Sequence, residues 1–137
     1  MNNLDVFNIA SLEIFHCCLD TFPLPTELIT VDLAVNISGY FESPKNDESY
    51  QSHFDNLDDT IHETISWLKH EGFLVDKGSS IDSYAVVLSQ KGLNAVNSVP
   101  RFLESKKSFK DYFSSGLSNL PFNIASGVMV EFFKTGT

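Results

Sequence analysis

A chain of 137 residues is long enough for one domain with its own core, and a hydrophobic content of 42% with 12 Phe excludes a disordered polymer. Nine Lys and Arg stand against 18 Asp and Glu, giving a net charge of −9. That balance opposes contact with phosphate backbones unless a local basic face compensates, and it suits a basic partner.

The first element is expected over residues 4–19. Leu4, Phe7, Leu12, Phe15 and Leu19 run down one side of a helix, and Ile9, Ile14 and Cys18 widen that side. A helix apolar over so much of its circumference is buried on most sides or meets a partner. The opening run MNNLDVFNIASLEIF has no basic region and carries Asp5 and Glu13, so it reads as neither a signal nor a transit peptide. No apolar run reaches the length of a membrane span, and a cytoplasmic location is expected. Cys17 and Cys18 are adjacent, which disfavours a bridge between them, and two cysteines cannot build a zinc ribbon. They are expected to pack as small apolar groups.

Pro23 and Pro25 end this helix. Ile29, Val31, Leu33, Val35 and Ile37 then alternate with more polar residues, which predicts a short helix or turn after Pro25 and a strand over Val31 to Ile37. Residues 39–52, with Pro44, Asn46 and Asp47, read as a surface loop.

From Asp55 the pattern becomes helical. Leu57, Ile61, Thr64, Ile65 and Leu68 fall on one stripe, with Asp55 or Asn56 as cap and Asp58 and Asp59 in the first turn. Gly72 suits a left-handed stop. Phe73 to Val75 and Tyr84 to Leu88 are β-rich runs around the turn residues Asp76 to Ser80, and Ser89 caps a further helix over Gln90 to Asn97.

The runs TISWLKHEGFLVDKG and VVLSQKGLNAV, residues 64–78 and 86–96, resemble the recognition-helix, wing and post-wing segments of bacterial winged helix-turn-helix proteins. In that family an apolar residue, Leu, a charged pair, Gly and Phe or Leu lead into a hairpin that ends in Leu-Ser/Thr-x-Lys-Gly. Leu68, Glu71, Gly72 and Phe73 match the first half, and Leu88, Ser89, Lys91, Gly92 and Leu93 the second. The resemblance implies an α+β winged helix-turn-helix fold, mainly α with a small antiparallel sheet and additional C-terminal helices. A single domain would then span 1–137, with a core over about 4–100 and a helical extension over 101–137. Such a domain would want a short helix near Thr26 to Leu33 where the alternation suggests a strand. It would also present its recognition helix and wing to DNA.

Beyond Val99-Pro100, Arg101 to Tyr112 is expected as a helix with Phe102, Leu103, Phe109 and Phe113 inside and Lys106, Lys107 and Lys110 outside. Gly116 breaks it, and Pro121 opens a last helix over Phe122 to Phe133. That last helix is rich enough in apolar residues for core burial or for a homodimer made with the first helix, through Phe7, Phe122, Val128, Met129, Phe132 and Phe133.

The outward residues of the Asp55 to His70 helix decide between partners. Asp58, Asp59, His62, Glu63, Ser66, Lys69 and His70 should face out, and Lys69 is the only Lys or Arg among them. Base edges and phosphates call for Arg, Lys, Asn or Gln, so these carboxylates oppose DNA, and the wing sets Lys77 between Asp76 and Asp82. No His follows His62 at the fourth position, and His70 lies two turns away, so no metal site is expected. His16 cannot face the Cys17 sulfur within one helix. There is no Gly-x-Ser-x-Gly elbow, phosphate loop or dinucleotide fingerprint, so a non-catalytic protein without cofactor is expected. Trp67 should anchor the helix against the hairpin, with an exposed interface position as the other reading.

These residues point to an acidic protein-binding domain, with Asp55, Asp58, Asp59, His62, Glu63 and Lys77 as the partner-binding set. An immunity or inhibitor protein that covers a basic nuclease toxin has this size and charge. The alternative is a dimeric DNA-binding transcriptional regulator.

Overall fold

The computed structural model describes residues 2–41, 47–98, 107–117 and 120–135. In chain order the elements are α1 (Asn3–Thr21), β1 (Thr26–Ile29), α2 (Thr30–Ser38), α3 (Asp47–His70), β2 (Leu74–Ser79), β3 (Ser83–Leu88), α4 (Gln90–Asn97), α5 (Phe109–Ser115) and α6 (Phe122–Thr135). The three strands form one antiparallel sheet in the order β1-β3-β2. The protein is thus α+β and mostly helical.

Asn2 starts α1, its side chain accepting from the Leu4 amide at 2.7 Å. Val6, Ile9, Ala10, Leu12, Ile14, Phe15 and Cys18 of α1 are buried, so this helix is the central rod of the core. Thr26 to Ile29 add a third strand to the hairpin, with Thr26 opposite Val86 and Ile29 opposite Ser83. Pro25, directly before this edge strand, costs no ladder bond.

Here the fold departs from the expected strand over Val31 to Ile37. Those residues are helical, and the strand precedes them. Thr30, Leu33, Ala34 and Ile37 are buried at three- and four-residue spacing, whereas Val31 and Val35 are exposed. A run with apolar residues at every second position also fills i and i+4 positions of a helix. Packing of α2 against α1 and α3 selected that second pattern.

The expected loop over 39–52 is also revised. Asp47 to Ser52 already belong to α3, which is 24 residues long; residues 42–46, with Pro44 and Asn46, lie outside the described residues. Asp55 and Asn56 are therefore interior and not caps, and Gln51 donates to Asp55 one turn on at 3.0 Å. Leu57, Ile61, Thr64, Ile65 and Leu68 are buried as the periodicity predicts. Gly72, at φ +85°, ends the helix, and the Phe73 amide returns to the Leu68 carbonyl at 2.9 Å.

The matched Gly-Phe and Leu-Ser-x-Lys-Gly residues meet in space. The Ser89 hydroxyl donates to the Gly72 carbonyl and accepts from the Gly92 amide at 3.0 Å. Lys91 donates to the Glu71 carbonyl at 2.7 Å and lies 4.6 Å from the centre of the Phe73 ring. This knot ties the end of α3 to the start of α4 and fixes where the hairpin leaves the helix.

Ser108 and Asp111 form a capping box at α5. The helix expected over Arg101 to Tyr112 therefore starts only at Phe109, while Arg101, Phe102, Leu103 and Lys106 lie outside the described residues. Phe132 of α6 is the hub of the aromatic core, its ring centre lying 5.0 to 5.7 Å from Phe15, Phe73, Phe109, Phe113 and Phe133. Val128, Met129 and Phe132 are buried in this core, which removes them from any surface open to a second copy. Phe7 and Phe133 pack on one another at 5.1 Å, and Phe122 stays at the surface beside Tyr40 and Phe41.

Candidate functional site

The long helix α3 has two faces besides its buried stripe. One turns toward the hairpin. His62 Nδ1 lies 2.8 Å from the Tyr84 hydroxyl, and Nε2 lies 3.5 Å from Asp58 and 3.9 Å from Asp82. Asp58 and His62 are partly buried, so these two members of the expected partner-binding set serve the helix–hairpin junction. Further along, Lys69 holds Asp76 at 2.9 Å and stands 5.0 Å from the centre of the Tyr84 ring. The Gly78 amide first, then the Lys69 and Ser79 side chains, lower the Asp76 carboxyl from its ordinary 3.8 to about 2. Lys77 is exposed on the hairpin.

The other face looks outward and carries Asp55, Asp59, Glu63, Ser66, Trp67 and His70, all exposed. Among the described residues neither Asp59 nor Glu63 has a hydrogen-bond or ion-pair partner. They lie four residues apart, and Trp67 is the next residue at that spacing, so the three share a stripe.

This stripe forms one wall of an open groove of about 860 Å³, and Asn3, Leu4 and Phe7 at the start of α1 form the other. Leu4 is 61% exposed and Trp67 41%. The indole is held edge-on to Phe7 at 5.3 Å and to Phe133 at 5.6 Å, and it stacks on Phe73 at 6.4 Å. Trp67 thus meets Phe73, where the chain enters the hairpin, and packs as well toward α1 and α6. The site therefore joins Asp59 and Glu63, which charge patterning had singled out, with Leu4 and Trp67. The four-residue spacing of Asp59, Glu63 and Trp67 was the available signal; the approach of α1 was not readable locally.

A second cavity of about 470 Å³ lies between α1 and the end of α2, lined by Glu13, His16, Asn36, Tyr40 and the Gly116 backbone. Burial raises the Glu13 carboxyl, and nearby His16 partly offsets this. His16 Nδ1 lies 2.7 Å from the Phe113 carbonyl, an acceptor, so that nitrogen carries the proton. Burial, chiefly, pushes the Cys17 and Cys18 thiols up to about 12, so neither is a ready nucleophile at neutral pH. Among the described residues no three His, Cys, Asp or Glu side chains converge as metal ligands, and no helix is long and apolar enough to cross a membrane.

Comparison of the chain with protein-family models, with curated proteins and with solved structures finds no match.

Proposed function

We propose that the chain is a winged-helix domain used to bind a protein with a basic surface. The fold reading draws on the order helix, strand, helix, helix, hairpin, and on the sheet order β1-β3-β2, which places the first strand beside the second strand of the wing. The function rests on one observation. The outward face of α3, where a winged-helix protein would read DNA, carries Asp55, Asp59 and Glu63 beside exposed Leu4 and Trp67.

Carboxylates at that position repel phosphates at every approach, whereas against Lys and Arg they speed encounter and select the partner. The apolar floor supplies what charge alone does not, an area that gains by leaving water. A basic nuclease toxin held by this chain as its inhibitor is a partner of that description, with the α3 carboxylates taking the place of phosphates.

A DNA-binding regulator is the second reading, favoured by the helix-and-hairpin architecture and by exposed Lys77. It must overcome Asp55, Asp59 and Glu63, and Lys69 on the neighbouring face is already engaged by Asp76. One experiment separates the two. Gel shifts with random duplex are run across a salt series, and partner capture is compared between the native chain and an Asp55→Lys, Asp59→Lys, Glu63→Lys variant. The expected result is no duplex shift and loss of the captured partner. A duplex shift that weakens steeply with salt, or a variant that keeps its partner, overturns the proposal.

A further inference from the structure

We infer that the groove between α1 and α3 receives a basic amphipathic helix, with apolar side chains seated against Leu4 and Trp67 and Lys or Arg reaching Asp59 and Glu63. This rests on the protein-binding reading above and specifies the form of the partner.

The floor is apolar and cannot hide itself. Trp67 is wedged among Phe7, Phe73 and Phe133 at 5.3 to 6.4 Å, so its ring cannot swing inward to cover its exposed edge. Leu4, in the first turn of α1, projects beside it at 61% exposure. A rigid aromatic anchor next to an aliphatic one loses little entropy when a ligand covers it.

The rim sets the sign of the ligand. Asp59 and Glu63 stand one turn apart, with about 5–6 Å expected between their Cβ atoms. A helical ligand with cations one turn apart matches that spacing. Among the described residues the opposite wall, α1, carries no Lys or Arg. The positive end of the α1 dipole is already met by Asp5 and by the Asn2 side chain, which accepts from Leu4.

The form of the ligand follows from the walls. Both walls are helices, and a trough between two helices takes a third by ridge-into-groove packing. The residues lining the groove come from α1 and α3 alone, so no free strand edge borders it and strand addition is not available. An opening of about 860 Å³ exceeds what one inserted side chain fills. A second copy is disfavoured as occupant, because two chains of net charge −9 repel each other.

The test uses the full chain and its one tryptophan, Trp67, as the reporter. The probe is a synthetic amphipathic helix of Leu and Lys; the control is the same peptide with Glu for Lys. The Lys peptide is expected to shift Trp67 emission to the blue and to protect it from acrylamide, and the effect should fade toward about 0.5 M salt. The Glu peptide should do neither. Asp59→Asn with Glu63→Gln should weaken the Lys peptide about tenfold or more. Leu4→Ser should weaken it while leaving the salt dependence intact. Asp59, Glu63 and Leu4 are all exposed, so these variants fold, as circular dichroism will verify.

No spectral response to the Lys peptide, an equal response to both peptides, or undiminished binding by the Asn/Gln variant overturns the inference. So does a Trp67 emission that changes with protein concentration alone, which would mark a second copy as the occupant. Should the peptide fail while the charge-reversed variant still loses its captured partner, the helical-ligand inference falls and the acidic-face proposal stands. Should both fail, both fall.

Discussion

His62 on α3 and Tyr84 on β3 are joined across the helix–hairpin junction, Nδ1 lying 2.8 Å from the phenol oxygen. Asp58 at 3.5 Å and Asp82 at 3.9 Å bracket the other ring nitrogen, so one imidazole touches helix, strand and turn. Tyr84→Phe keeps the ring that Lys69 overlies and removes only the hydroxyl. It should lower stability by about 1 kcal/mol, the usual net value of one hydrogen bond. Urea denaturation measures the loss, and amide exchange should rise in the hairpin but not in α1.

Gly92 explains the last letter of the Leu-Ser-x-Lys-Gly run. A Cβ there would collide with the Phe73 carbonyl oxygen and come within 3.1 Å of Leu88 Cδ2. The carbonyl belongs to the rigid knot around Ser89, so it cannot retreat cheaply. Gly92→Ala should therefore cost about 1–3 kcal/mol despite its better helix propensity, as overpacking does elsewhere. A normal urea midpoint for this variant would contradict the close approach of α4 to Phe73.

Asp76, on β2 opposite Val86 and beside the irregularity at Gly78, makes the hairpin sensitive to acid. Its carboxyl sits at about 2 against an ordinary 3.8, because the ionised form accepts from Gly78, Lys69 and Ser79. A lowered folded value means that the stabilisation is present above 3.8 and is lost as pH falls through about 2. Asp76→Asn should be less stable than the native chain at neutral pH, and the gap should close over that acid window. Added salt should shrink the gap, since the group is exposed. Thermal melts across the pH range provide the check.

Phe132 distinguishes core from dimer surface. Its ring is fully buried among five other phenylalanines, so Phe132→Ala should cost about 3–5 kcal/mol. That loss should be the same at every protein concentration. A melting temperature that climbs with concentration in the native chain and not in the variant would return Phe132 to an interface.

Much of this protein was legible residue by residue. The Leu57 to Leu68 stripe, the Gly72 stop, the two β-rich runs and the Ser89 cap all follow from local rules of period and termination and stand where those rules put them, whereas Asp76 to Ser79, read as turn residues, are part of β2. The stretch from Thr26 to Ile37 did not yield to the same rules. Its alternation satisfies both a strand and one face of a helix, and no local energy difference separates them. Of the contacts that decided it, β1 with β3 joins Thr26 to Val86, and α2 with α1 and α3 forms only when whole helices pack together. The acid residues divide in the same way. Periodicity already sets Asp58 one turn from His62 on α3 and Asp59 beside it, but only the docked hairpin, through Tyr84 and Asp82, partly covered the Asp58–His62 pair and left Asp59 outside.

Composition and spacing by themselves determined an acidic α+β domain with a helix, hairpin and helix at its centre, because those properties depend on residues close in the chain. Tertiary structure alone decided that Phe132 is core, that Trp67 is exposed and that Leu4 stands across a groove from Asp59 and Glu63. Burial and adjacency are properties of whole packed elements, and no local pattern carries the angle at which α1 crosses α3.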